Sequence, residues 1–325
     1  MQSRTIGDTV VSAIGLGAMP LSIEHRPDER RAVATVHAAL DAGVTLIDTA
    51  DSYHWHAGES GHNELLVSRA LARYGGDTSR LLVATKGGRG RPGDGSWTVD
   101  ATPEHLKRAA EASLKRLGVE SIGLYQLHKP DPAVPWAESV GALRELLDAG
   151  TIRAAGISNV TVGQIREAHA ILGHGLVSVQ NRYSPAVRDS EPELRLSTRL
   201  GLAFLPWSPL GGISPSSLDG VRGPTATSTA FHRVAAAHGV SPQQVALAWL
   251  LTRSPAVIPV PGASRPASIL DSAKAAGLEL SEAERSRLDA PLPGARSTTL
   301  TSAATCGVAT SGPAPTSPEA AAGRR

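Results

Sequence analysis

Asp48, Tyr53, Lys86 and His128 are side chains that together can hold, tune and deliver a proton, and each stands at or just beyond the end of a short apolar run. The stretch IDTADSYHWHAGES, residues 47–60, carries Leu46 and Ile47 straight into Asp48 and reaches a phenol five residues later. A phenol titrates at about 10, so it exchanges a proton poorly near neutrality unless its anion is stabilised. An ammonium from Lys86 is predicted to favour the phenolate and lower the pKa of Tyr53, with Asp48 holding Lys86 in place and charged. His128 is then available to orient or polarise a carbonyl oxygen between itself and the tyrosine.

Four such residues, scattered over 80 positions, need a scaffold that ends its strands at one rim. Runs rich in Val, Ile and Leu recur as AIGLG (13–17), LIDT (46–49), LLVATK (81–86), IGLYQLH (122–128), RAAGIS (153–158), VSVQ (177–180), LAFLPW (202–207) and VIPV (257–260). Their continuous apolarity predicts strands covered on both faces, as in a parallel sheet. Helices are predicted between them, near 28–42, 61–73, 102–117, 138–149, 162–171, 191–200, 242–252 and 266–276. In the third, Thr102 can cap, Pro103 suits the first turn and Gly118 can end the helix.

This alternation predicts an α/β fold, a (β/α)8 TIM barrel over residues 1–291, whose active site forms at the carboxyl ends of the strands. An open dinucleotide-binding sheet is the rival. Its fingerprint fails, because Pro20 stands where Gly15-Leu16-Gly17 would require a third small residue. RTIGDTVVS, with Gly7-Asp8 at its centre, predicts a short N-terminal β-hairpin under the barrel. A loop and an extra helix near 227–238 should fill the long interval after strand 7. Residues 292–325 are rich in Ser, Thr, Ala, Gly and Pro and are expected to form a flexible low-complexity tail.

Bulk properties narrow the function classes. Lys plus Arg number 32 and Asp plus Glu 30, so no strong field for nucleic acid or anionic lipid is expected. The single Cys306 forms no intramolecular disulfide and supplies too few thiolates for a cysteine metal site. No segment approaches the roughly 18 apolar residues that suggest a membrane span, and the N-terminus lacks a secretory pattern. A cytoplasmic protein acting on a small molecule is the expectation. Nothing in the chain is an unmistakable subunit interface, so oligomeric state stays open.

Taken together, these motifs make the chain resemble an aldo-keto reductase of the bacterial type. IDTADSYHWHAGES resembles the family's Asp-Thr-Ala then Tyr signature, TKGG its lysine strand and YQLHKPDP its histidine strand. GISN, VQNRYSP and WSPLGG resemble its nicotinamide-side motifs, and IPVPGAS the end of strand 8 that opens the phosphate site. The resemblance covers roughly residues 4–291. It implies an NADPH-dependent oxidoreductase that reduces an aldehyde or ketone to an alcohol, with Tyr53 as proton donor, Lys86 and Asp48 assisting and His128 placing the carbonyl.

The resemblance further implies that Ser158, Asn159 and Gln180 hold the nicotinamide carboxamide and that Trp207 stacks on the ring. Gly17, Ser208, Leu210, Gly211, Gly212 and Gly262 belong to the implied cofactor positions, the glycines allowing close backbone approach. Ser264, Arg265 and Ser268 lie at a predicted helix start suited to an anion, and Arg265 could pair with a 2′-phosphate, favouring NADP(H). Asp271 is carried over with them, although Leu270-Asp271-Ser272 departs from the acidic pair and Asn of many relatives.

His54, Trp55 and Trp97 are candidate substrate-pocket residues in loops above the barrel. His54, His56 and His62 lack a helical ligand spacing, and no metal is expected. Two other functions fit the same motifs: an NADP(H)-binding regulatory subunit with little turnover, and a reductase dedicated to one biosynthetic keto-sugar or polyketide carbonyl.

Overall fold

The computed structural model describes residues 1–214 and 229–292 of the chain. Its strands are β1 (Ser3–Ile6), β2 (Thr9–Ser12), β3 (Leu16–Gly17), β4 (Leu46–Asp48), β5 (Leu82–Gly87), β6 (Arg89–Gly90), β7 (Thr98–Val99), β8 (Leu124–Leu127), β9 (Ala155–Ser158), β10 (Leu176–Gln180) and β11 (Ala203–Phe204). Its α-helices are α1 (Glu29–Asp41), α2 (His62–Ala72), α3 (Pro103–Leu117), α4 (Trp136–Asp148), α5 (Val162–Leu172), α6 (Glu191–Leu200), α7 (Ala230–His238), α8 (Pro242–Arg253), α9 (Pro266–Lys274) and α10 (Glu282–Asp289). Strands β3, β4, β5, β8, β9, β10 and β11 lie side by side in that order, each pair parallel.

The segment predicted as strand 8 closes this sheet into a barrel without forming a regular strand. Ile258 and Val260 donate to the carbonyls of Phe204 and Pro206 on one side, while Pro259 and Pro261 accept from Gly15 and Gly17 on the other. Proline has no N–H, so the ladder towards β3 loses every donor from this segment and keeps only its carbonyls. The same one-sided ladder explains why β3 covers only Leu16 and Gly17 of the predicted 13–17. Gly17 is required at this contact, because a Cβ there would stand 2.7 Å from the Val260 carbonyl oxygen.

β1 and β2 form the predicted hairpin, turning at Gly7 with φ of 54°. Ile6 and Val11 join Leu46, Leu82, Leu124, Val177, Leu205 and Ile258 in one apolar cluster, so the hairpin seals the barrel interior from its amino end. Polar chemistry is thereby confined to the opposite end. The helices pack outside, and α3 has its predicted punctuation: Thr102 caps it by accepting from the His105 N–H, and Gly118 ends it at φ of 69°.

Three differences from the expected pattern matter. In the glycine-rich stretch 87–95, where no element was predicted, Arg89–Gly90 pairs antiparallel with Thr98–Val99. α10 was not predicted, since only Leu288 among its residues is buried and an apolar stripe was never visible. Leu292, assigned to the tail, instead packs at the edge of the main core. The rest of the expected tail, residues 293–325, and the start of the predicted 227–238 helix lie outside the described residues. Among the described residues, no helix is long and apolar enough to cross a membrane.

Candidate active site

Strand alternation brings the polar residues together. Lys86 on β5 pairs in register with Gln126 on β8, and Asp48 ends β4 beside β5. Their side chains meet inside the rim: Lys86 Nζ donates to Asp48 Oδ2 at 2.6 Å, to the Thr49 carbonyl at 2.9 Å and to Tyr53 Oη at 3.1 Å. Lys86 is 0% exposed. An ammonium removed from water in this way costs several kcal/mol unless it is paired and hydrogen-bonded, and here all three donors are used.

Asp48 is satisfied as completely. Its second oxygen, Oδ1, accepts from Gln126 Nε2 at 3.1 Å and Gln180 Nε2 at 3.0 Å. Gln126 was not singled out from the sequence. The signal was there, because Gln126 lies two residues before His128 on one strand and therefore on the same face. Gly156 makes its room: a Cβ at that position would stand 2.8 Å from Gln126 Cγ.

Tyr53 and His128 are buried beside this pair with ring centroids 5.7 Å apart, nearly perpendicular. His128 Nδ1 lies 3.3 Å from Ser52 Oγ. Neither His128 Nε2 nor the Tyr53 hydroxyl proton has a hydrogen-bond partner among the described residues. The site thus presents a free O–H and a free imidazole nitrogen side by side.

Protonation states follow from burial and charge. Burial raises the pKa of Tyr53, Lys86 opposes that, Asp48 adds to it, and the net effect is upward. This corrects the expectation that Lys86 would bring the phenol below its ordinary value: desolvation of a fully enclosed phenolate outweighs one ammonium that Asp48 already neutralises. Burial alone would lower Lys86, but Asp48 and Tyr53 hold it above its ordinary value. Burial, with the charges of Lys86 and Arg89, takes His128 well below the usual imidazole range, so it is neutral at pH 7.

From this cluster a groove of about 700 Å³ runs along the rim, lined by Gly17, Asp48, Tyr53, Gln180, Trp207, Ser208, Leu210, Gly211, Gly262, Ser264, Arg265, Ser268 and Asp271. Met19, Pro20, Glu24, His25, Ser214 and Gln243 also line it and were not anticipated. At its far end α9 begins without a side-chain cap, and Arg265 Nε donates to Ser268 Oγ at 2.9 Å. A long groove with an uncapped helix start and a cation at one end fits a phosphate-bearing dinucleotide.

Several expected positions are placed differently. Ser158 is buried and donates to the Gln180 carbonyl at 2.7 Å, and Asn159 bridges the His128 carbonyl and Trp207 Nε1, at 3.0 and 3.2 Å. Asn159 holds φ of 60°, a left-handed conformation that asparagine tolerates. Asp271 lines the groove with its carboxylate already engaged by Ser241 and Gln244, each at 2.6 Å. Gly212 is not among the lining residues, and a Cβ on it would meet Ala186 at 2.6 Å.

Of the pocket candidates, Trp97 reaches the site, standing edge-on to Tyr53 at 6.5 Å and to His128 at 6.4 Å. His54 is buried with Nδ1 against the His56 carbonyl, and Trp55 packs on His25 and His56. Trp55 therefore backs His25, a groove residue. Among the described residues no group of three metal-binding side chains comes together.

A family model described as the aldo/keto reductase family matches residues 13–292, nearly the whole barrel. The chain belongs to the aldo/keto reductase family. An uncharacterized oxidoreductase of Schizosaccharomyces pombe is 35% identical over 288 residues, covering 87% of this chain and 88% of that protein. Pyridoxine 4-dehydrogenase of Escherichia coli is 34% identical over 296 residues, covering 88% and 96%. Among solved structures, an aldo/keto reductase from Klebsiella pneumoniae in complex with NADP and acetate superposes with a TM-score of 0.73 at 26% identity, covering 88% of this chain and 94% of its own. As a member of this family the chain is an oxidoreductase, on a barrel with its polar rim at the carboxyl ends of the strands.

Proposed function

We propose that this aldo/keto reductase uses NADP(H) and reduces an aldehyde or ketone to the corresponding alcohol. The observation that carries the reading is the connected line Asp48–Lys86–Tyr53, at 2.6 and 3.1 Å, ending on a hydroxyl whose proton has no other acceptor among the described residues. Trp207, Gly211, Ser264 and Arg265 along the groove would hold NADPH, which when bound would supply a hydride to the carbonyl carbon. Tyr53 gives its proton to the carbonyl oxygen as negative charge develops there, and Lys86, 3.1 Å behind it, stabilises the phenolate that is left. The pair balances as hydride plus proton, yielding the alcohol and NADP⁺.

His128 contributes as a neutral group. Its unpaired Nε2 positions the carbonyl oxygen against the tyrosine without adding a second charge. The raised pKa of Tyr53 suits an acid, since the phenol stays protonated throughout the neutral range. Asp48 keeps Lys86 charged, and Gln126 and Gln180 keep Asp48 from turning elsewhere. Preference for the phosphorylated cofactor is assigned to Arg265 beside the start of α9.

Following NADPH absorbance across a panel of aldehydes and ketones tests the reading. Tyr53→Phe is expected to lower reduction by about 100-fold or more, the scale of a lost general acid, while NADPH affinity measured by fluorescence titration stays close to that of the wild type. Activity near the wild-type level in this variant would remove Tyr53 as the proton donor. Tight NADPH binding with no turnover of any carbonyl would instead favour a cofactor-sensing regulatory role.

A further inference from the structure

The hairpin β6–β7 carries two arginines to the edge of the reacting groups, and they differ in one respect. Arg89 and Arg91 place their guanidinium carbons 4.4 and 4.5 Å from the centroid of the Trp97 ring, the same ring that stands against Tyr53 and His128. Arg91 is buried, and although its Nε also lacks a hydrogen bond, its charge is paired: Glu24 takes both terminal nitrogens, and the His54 carbonyl accepts from one of them at 2.9 Å. Arg89 has no carboxylate partner among the described residues, and its Nε is buried without any hydrogen bond. Its charge nonetheless reaches the site, opposing the burial-driven rise of Tyr53 and helping to depress His128.

The local charges therefore do not cancel. Lys86 is balanced by Asp48 and Arg91 by Glu24, His128 and Tyr53 are neutral, and Arg89 is left over. A half-buried guanidinium held against an aromatic face, with its hydrogen-bonding edge unused, is costly unless an anion completes it. The planar fork of arginine matches a carboxylate with two parallel hydrogen bonds, which lysine cannot do.

We propose that the preferred substrate is an oxo acid, an aldehyde or ketone that also bears a carboxylate, and that Arg89 is the residue that binds that carboxylate. This rests on the reading of the site as a carbonyl reductase. The reacting carbonyl sits between Tyr53 and His128 and the carboxylate one indole ring away, beside Trp97, so a short carbon chain separates the two groups. NADPH, the oxo acid and a proton give the hydroxy acid and NADP⁺, and the carboxylate is unchanged. Trp97 sets the distance between the two ends and shields the Arg89 pair from water.

The test compares kcat/KM for succinic semialdehyde and butanal, aldehydes of equal chain length with and without a carboxylate, in wild type, Arg89→Gln and Arg89→Lys. Wild type is expected to favour the semialdehyde, and Arg89→Gln to lower the ratio of the two kcat/KM values by about 30-fold, the scale of a lost charge-assisted hydrogen bond, mainly through KM. Arg89→Lys should keep the sign of the preference and restore part of its size. A wild-type ratio near one, with butanal reduced, overturns the proposal while sparing the carbonyl-reductase reading. An equal loss on both aldehydes in Arg89→Gln also overturns it, because Arg89 would then act on Tyr53 and not on the substrate; so does a matching loss of NADPH affinity. Turnover of neither aldehyde by wild type overturns the reading itself and the proposal with it.

Discussion

Two buried ionic clusters flank strand β5, and they are built to opposite charge rules. On the barrel side of the rim, Asp48 meets Lys86 and the two charges cancel, with every donor and acceptor between them used. On the helix side, Glu64 of α2 takes Thr85 Oγ1 and Arg116 Nε, both at 2.5 Å, while Asp51 sits nearby and its Oδ1 has no partner among the described residues. Two carboxyls there share one guanidinium. Burial, with the repulsion of Glu64 added, pushes Asp51 up to about 8. Lys86 and Thr85 are consecutive on β5 and point to opposite faces, so one strand feeds both clusters. Burial and ionic pairing alone therefore do not mark a candidate catalytic site: among the described residues, what separates the clusters is the groove beside Tyr53, whose hydroxyl proton has no acceptor.

Removing the cation from each cluster should break that comparison most visibly. Lys86→Met leaves Asp48 buried without its ammonium and is expected to destabilise the fold by about 3–5 kcal/mol and to abolish carbonyl reduction. Adding Asp48→Asn should recover much of the stability, read by urea unfolding, and none of the activity. If activity returned with stability, the inner cluster would be structural like the outer one.

Arg116→Met is the counterpart. It strands Glu64 beside Asp51 and is expected to cost a similar stability, about 3–5 kcal/mol. The difference lies in turnover: corrected for the folded fraction, kcat on a neutral aldehyde should stay within a few-fold of wild type. A hundredfold fall in kcat at full folding would join the two clusters into one catalytic unit.

A smaller effect should appear in the pH dependence of stability. Asp51 titrates at about 8 in the folded chain and at 3.8 when free, so between these values the native state binds the extra proton and stability falls as pH rises. Below that window both states are protonated and the contribution is fully present; above it the loss levels off. Asp51→Asn removes the titration, so the stability of the variant relative to wild type should grow by up to about 4 kcal/mol from pH 5 to pH 8. A difference that is flat across this range would mean that Asp51 is charged in the folded protein throughout.

Legibility in the sequence tracked locality. Asp48, Tyr53, Lys86 and His128 were readable because each ends or follows an apolar run, and a barrel sends such ends to one rim. Gln126 was equally readable by alternation but has no chemistry of its own until Asp48 arrives across the sheet. The closing segment was located from VIPV, yet it forms no regular strand, and its hydrogen bonds run in full only towards β11, as Pro259 and Pro261 require. The charge of Arg89 was visible in GGRGRPGDG, whereas the absence of a partner was not, since Arg91 two residues away has Glu24 from a distant turn.

By itself the chain determined the order of strands and helices, the residue types at each strand end and hence the reaction family those types can serve, because these depend on propensity, punctuation and spacing along the backbone. The tertiary structure decided which ionisable groups neutralise one another and which are left over. That depends on burial and on contacts between residues up to 132 positions apart, as in the bond from Gln180 to Asp48, and a desolvated charge is governed by what stands next to it in space. For this reason the tyrosine could be named from the sequence, while its raised pKa, the protonated Asp51 and the unpaired Arg89 emerged only from the folded chain.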